Sequence, residues 1–162
     1  MSIRDRRRSG SVALSRVIGN PDDMAYPSST GSAANMYWES FVALSSKNII
    51  RMRMKAAYSY NCRMGLYTNN VDVPDALLAY SLGTSVVSGS WNNIPLVSPV
   101  RVKAGETYWI ALQMDTNSTF YRVDTGGITK YKAVTYTDPF PATAPGGLGS
   151  STANWAISAY GR

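Results

Sequence analysis

The segment Trp91–Met114, WNNIPLVSPVRVKAGETYWIALQM, restricts the fold of this chain more than any other stretch. In Val100-Arg101-Val102-Lys103 apolar and basic residues alternate, which sends the two classes to opposite sides of an extended chain. Ala104-Gly105-Glu106 follows as a turn, since glycine accepts the positive φ that a hairpin reversal often needs. Tyr108 to Met114 opens with the aromatic and β-branched residues that suit a pleated, packed surface. The segment therefore reads as a short strand, a proline-marked break, a second strand, a tight turn and a longer third strand.

The same period recurs along the chain. Ile49 to Tyr58 has Ile50, Met52 and Met54 on one side and Arg51, Arg53 and Lys55 on the other, the pattern of a half-buried strand with a solvated basic face. Such charges also discourage edge-to-edge pairing with other chains. Further strands are predicted over 37–44, 61–67, 77–82, 85–87, 119–123, 131–137 and 154–160, separated by Gly-, Asn-, Asp- and Ser-rich turns. Ser11 to Ile18 suits either a short strand or one to two turns of helix. Residues 138–151 form a Pro/Gly-rich loop whose length points to contact with a partner. About nine or ten strands at this spacing predict an all-β protein, an antiparallel two-sheet β-sandwich of jelly-roll type rather than a small barrel. Residues 36–162 would form that sandwich and residues 1–35 an extended N-terminal arm.

Charge separates the arm from the body. Of the 16 basic and 10 acidic residues, Arg4, Arg6, Arg7, Arg8, Arg16 and Asp5 fall in the first 16 positions, so the remainder is nearly neutral. An arginine-rich arm is either an electrostatic tether to nucleic acid or an acidic protein surface, or a solvated terminus that contacts nothing specific. No continuous basic, aromatic-bearing face can be read from the linear order of the body, so nucleic acid is not the expected partner.

Composition narrows the chemistry. The chain has no histidine, which removes the commonest general base, the Ser–His nucleophile and the commonest metal ligand. Cys62 is the only cysteine, so no intrachain disulfide can form, and it is expected to pack as a small apolar residue. The carboxylates fall mostly in predicted turns; Asp22-Asp23 and Asp72/Asp75 lack the ligand spacing of a calcium loop, and nothing in the spacing selects a glycosidase pair. Gly126-Gly127 and Gly146-Gly147 lack the Lys-Ser/Thr of a phosphate loop. No apolar run approaches the roughly 20 residues that span a bilayer, and the charged start is not followed by the apolar stretch of a secretory leader. The expectation is a non-enzymatic protein without metal, cofactor or membrane, reaching any extracellular setting inside an assembly or without a cleaved leader. Among four tryptophans and 11 tyrosines, Trp91, with Asn92 and Asn93 in a predicted loop, is the candidate platform for stacking a glycan ring.

Several stretches carry a resemblance: Gly65-Leu66-Tyr67-Thr68-Asn69-Asn70, then Pro74-Asp75-Ala76-Leu77-Leu78-Ala79, then Gly89-Ser90-Trp91, and finally Pro99 through Ala111 (PVRVKAGETYWIA). They are similar to jelly-roll repeats of bacterial and archaeal surface proteins and of tailed-phage structural proteins, over about a third of the chain. The resemblance implies a β-sandwich and an adhesive, carbohydrate-binding or architectural role, and carries no catalytic motif. The expected function is a virion structural protein, a capsid decoration (cement) or tail component. Arg4, Arg6, Arg7, Arg8 and Arg16 would pair with acidic subunit surfaces, and Val12, Leu14, Val17 and Ile18 would add strand pairing or groove burial. Its partners would be other structural subunits, copies of itself included. The alternative is a carbohydrate-binding module of a cell surface or tail fibre, acting through Trp91.

Overall fold

A computed structural model describes residues 13–21, 26–137 and 139–162. These residues form twelve strands: β1 (Ser15–Gly19), β2 (Tyr26–Gly31), β3 (Asn35–Val42), β4 (Asn48–Lys55), β5 (Tyr60–Asn70), β6 (Val73–Tyr80), β7 (Thr84–Val86), β8 (Trp91–Arg101), β9 (Thr107–Met114), β10 (Ser118–Ala133), β11 (Gly149–Trp155) and β12 (Ile157–Gly161). Among the described residues there is no helix. All pairing is antiparallel. A four-stranded sheet runs β1-β12-β4-β8; an eight-stranded sheet runs β11-β10-β3-β9-β5-β6, with β2 added on β10 and β7 on β5.

Alternation explains the core. From β9, Tyr108, Ile110, Leu112 and Met114 enter one cluster with Cys62, Met64 and Leu66 of β5. The same cluster takes Ile49, Met52 and Met54 of β4, Ile157 and Ala159 of β12, and Val17 and Ile18 of β1. The main core thus joins side chains of both sheets. The other face of β9 sends Trp109 and Ala111 into a second cluster with Met36, Trp38 and Tyr67, so the larger sheet is apolar on both sides. Burying a side chain of this size contributes about 1.5–3 kcal/mol, which fixes the register of each strand.

Residues 134–137 and 139–148 cover that second cluster. Val134, Phe140, Ala144 and Leu148 pack on it. The Tyr67 hydroxyl donates to the Pro141 carbonyl at 2.8 Å. Gln113, fully buried, donates to the carbonyls of Val134 and Thr135 at 3.0 Å each and accepts from Arg63 at 2.6 Å. Arg63 in turn lies 4.9 Å from the Tyr136 ring and 5.2 Å from the Phe140 ring. The Pro/Gly-rich loop expected to meet a partner is therefore largely spent on its own sheet.

Several expectations are corrected. Ala104-Gly105-Glu106 does turn, with Gly105 at φ +80, but it is not a hairpin: β8 pairs with β4 and β9 with β3 and β5, in different sheets. The turn is held against the equally sheet-crossing segment 43–47, through Gly105 N to Ala43 O and Ala43 N to Glu106 O, each 2.9 Å. Ile49, not Ile50, joins Met52 and Met54 in the core, because both ladders of β4 shift register between Ile49 and Arg51. The predicted strand at 119–123 and the first three residues of that at 131–137 belong to one 16-residue strand, β10, which ends at Ala133. The predicted last strand is two, divided at Ala156, whose N–H bonds Tyr121 of the larger sheet while its carbonyl accepts from Lys55 of the smaller one. Nor does the fold begin at residue 36, since β1 and β2 already belong to its sheets.

Candidate functional site

The outward face of the four-stranded sheet gathers Arg16, Trp91 and Asn93 from the candidate site residues, together with the Arg51, Arg53 and Lys55 stripe. Its four strands carry Arg16, Arg51, Arg53, Lys55 and Arg101 and no acidic residue. Register sets three rows across the sheet: Arg16, Tyr160, Arg51 and Pro95; then Gly19, Ser158, Arg53 and Asn93; then Lys55 and Trp91. Since Met52, Met54, Ile157 and Ala159 fill the core between these positions, the rows must point away from it.

Cations and rings interleave on this face. The Arg51 guanidinium carbon stands 5.5 Å from the Tyr160 ring centre, and that of Arg53 stands 5.3 Å from the same ring. Arg53 also stands 5.4 Å from the Trp91 ring and donates to the Tyr160 hydroxyl at 3.3 Å. Lys55 Nζ lies 4.5 Å from the Tyr121 ring. Each such contact is worth about 0.5–2 kcal/mol, but it leaves the positive charge in place. The Arg51 Nε and the Ser158 hydroxyl are buried and have no hydrogen-bond partner among the described residues. Of the described carboxylates, Glu39 is buried in β3, Asp75 sits on β6, and Asp72, Glu106 and Asp115 occupy turns outside this sheet.

The candidate glycan platform divides. Trp91 and Asn93 belong to the outward rows, and one side of the indole is given to Arg53. Asn92 points the other way and holds the turn before it, accepting from Val87 N at 2.8 Å and donating to Val87 O at 3.0 Å and Ser90 O at 2.8 Å. The candidate arm residues divide too. Arg4, Arg6, Arg7, Arg8 and Val12 lie outside the described residues. Leu14 is half-buried. Val17 and Ile18 are 0 % exposed in this chain's own core, so their apolar surface is not on offer to a neighbour. Arg16 donates to the Gly19 carbonyl at 2.5 Å and stands at the rim of the cationic face.

A basic face with interleaved rings, not found by reading the sequence linearly, is thus assembled from residues 16, 51–55, 91 and 160. Its only local signal was the Arg-x-Arg-x-Lys alternation in β4. Among the described residues, no three cysteine, aspartate or glutamate side chains come together to hold a metal ion. A cleft of about 410 Å³ on the larger sheet, lined by Tyr37, Tyr131, Trp155, Asn35, Thr129 and Ser151 among others, has no counterpart in the sequence reading. No known protein-family model matches the chain, and no curated protein matches it either.

Proposed function

We propose that this chain is a non-enzymatic structural protein of a virion or comparable surface assembly, a capsid decoration or tail component. Its body would be a two-sheet, jelly-roll-like sandwich. Supporting that architecture are a core shared by both sheets and chain crossings between them at 43–47, 102–106 and 156. The arm joins the protein to neighbouring subunits, other copies among them.

One observation carries this reading. β1, the strand that the arginine arm runs into, is an edge strand of the four-stranded sheet. A segment that enters a fold at a sheet edge is placed to extend over a neighbour or add to its sheet. The docking element is narrower than the sequence implied: residues 2–12 remain for contact, while β1 belongs to the fold.

The test is removal of residues 2–12, leaving β1 whole. The shortened chain should keep its β circular-dichroism spectrum and fail to enter particles. Incorporation at the full-length level would sink the reading.

A further inference from the structure

We infer that the outward face of the four-stranded sheet binds a single strand of nucleic acid through its phosphates, with Arg51, Arg53 and Lys55 as the central contacts and Arg16 at the rim. The inference does not rest on the assembly reading above, since it concerns a different surface and needs no neighbouring subunit.

Three properties of the face point to this ligand. First, it carries positive charge with no acid in any of its four strands. A partner following it therefore meets attraction without a repelling carboxylate on the same strands.

Second, the cations are regularly spaced. Arg51, Arg53 and Lys55 alternate along one strand, so their side chains leave the backbone about 6.7 Å apart, a spacing suited to successive phosphates of an extended single strand. Rings hold the guanidinium groups of Arg51 and Arg53, which lowers the side-chain entropy lost on binding. Guanidinium is also the group best matched to a phosphate, which it binds with two parallel hydrogen bonds.

Third, polar capacity is unmet. Arg51 Nε and the Ser158 hydroxyl, on adjacent rows, make no hydrogen bond among the described residues, whereas buried polar groups are normally paired. The aromatic groups Trp91, Tyr160 and Tyr121 add the interleaved rings and stacked cations on which single-strand binding surfaces depend. Arg4, Arg6, Arg7 and Arg8 precede β1, an edge strand of this sheet, in the sequence and would add non-specific attraction.

The test uses the full chain and a fluorescently labelled oligothymidylate of about 16 nucleotides, the upper end of the site size for a small β-fold. Anisotropy titrations should show binding that weakens steeply with salt. The Arg51→Gln/Arg53→Gln variant should bind at least tenfold more weakly, and its log–log salt slope should fall by about 1.4, two phosphate contacts at about 0.7 each. Lys55→Gln, which removes no contact with Tyr160 or Trp91, should show the same trend at about half the size, and it keeps the test valid if the double variant fails to fold. Replacing Arg4, Arg6, Arg7 and Arg8 by Gln should weaken binding without removing its dependence on Arg51 and Arg53. Unchanged binding by folded Arg51/Arg53 and Lys55 variants, or complete loss in the arm variant, would overturn the inference. Tighter binding to a duplex of equal length, or to a sulfated polysaccharide of equal charge, would overturn it equally and assign the face to that polyanion.

Discussion

The carboxylate of Glu39 accepts the backbone N–H of Trp155 at 3.1 and 2.9 Å across 116 residues of sequence. Both residues are buried, Glu39 at 0 % exposure and Trp155 at 3 %. Trp155 ends β11, and after the single residue Ala156 the chain enters the other sheet at Ile157. Ladder pairing shifts beside it, between Arg122 and Asp124, so a side chain takes over where the ladder is irregular. Glu39→Ala should lower the unfolding free energy by about 1–3 kcal/mol, the cost of leaving a buried amide unpaired. Glu39→Gln, which keeps an acceptor oxygen, should cost less. Denaturant unfolding checks both, and an alanine variant as stable as the parent would refute the role.

Gly19 ties β1 to β12. Its φ is +95, and an added Cβ would lie 2.3 Å from the Ile157 carbonyl oxygen. Gly19→Ala therefore combines left-handed backbone strain with a backbone clash, a loss of about 1–3 kcal/mol from the strain alone. Hydrogen exchange should rise first at residues 15–19. Uniform exchange across both sheets would show that β1 does not detach separately.

Gln113 anchors the covering segment through two hydrogen bonds, to Val134 O and Thr135 O, and accepts a third from the Arg63 guanidinium of β5. Gln113→Leu should cost about 2–4 kcal/mol and make residues 134–148 the first site of proteolytic cleavage. Protease resistance equal to the parent's would contradict that assignment.

Cys62 titrates far from neutrality. Burial, with a smaller contribution from the Asp115 charge, raises its thiol from the ordinary 9.0 up to about 12. The folded value exceeds the unfolded one, so this contribution to stability is complete below pH 9.0 and is lost as pH rises toward 12. Tyr60 and Tyr67 are shifted upward by burial as well and add to the alkaline loss. Native protein should resist thiol reagents that label the unfolded chain at once. Stability measured from below pH 9.0 upward should fall less steeply in Cys62→Ala than in the parent; identical slopes would count against the shift.

The covering segment and the arm show where sequence reading stops. Pro and Gly mark the loop at 139–148, though Gly149, Ser150 and Ser151 of the expected loop belong to β11, and whether a loop meets a partner or its own sheet depends on what apolar surface lies near it. Here that surface is Trp38, Tyr67 and Trp109, from three different strands. Val17 and Ile18 likewise read as apolar arm residues until β1 is paired to β12, the last strand of the chain. The resemblance residues in 65–111 lie largely in β5, β6, β8 and β9; β8 is one strand that runs from Trp91 through Pro95 and Pro99, where a loop and a break were expected, and the division of these strands between two sheets was not legible.

By itself the sequence determined what is local: that the chain is extended, that apolar residues recur with period 2, where glycine turns it, and that no histidine is available for chemistry. Period-2 alternation is a property of neighbouring residues, so it can be read without knowing the fold. Only the tertiary structure decided what is paired. The cationic face needs the strand order β1-β12-β4-β8, which sets Arg16 beside Tyr160 and Tyr160 beside Arg51. That order is selected by burial of a core drawn from both ends and the middle of the chain, an energy that no single segment contains.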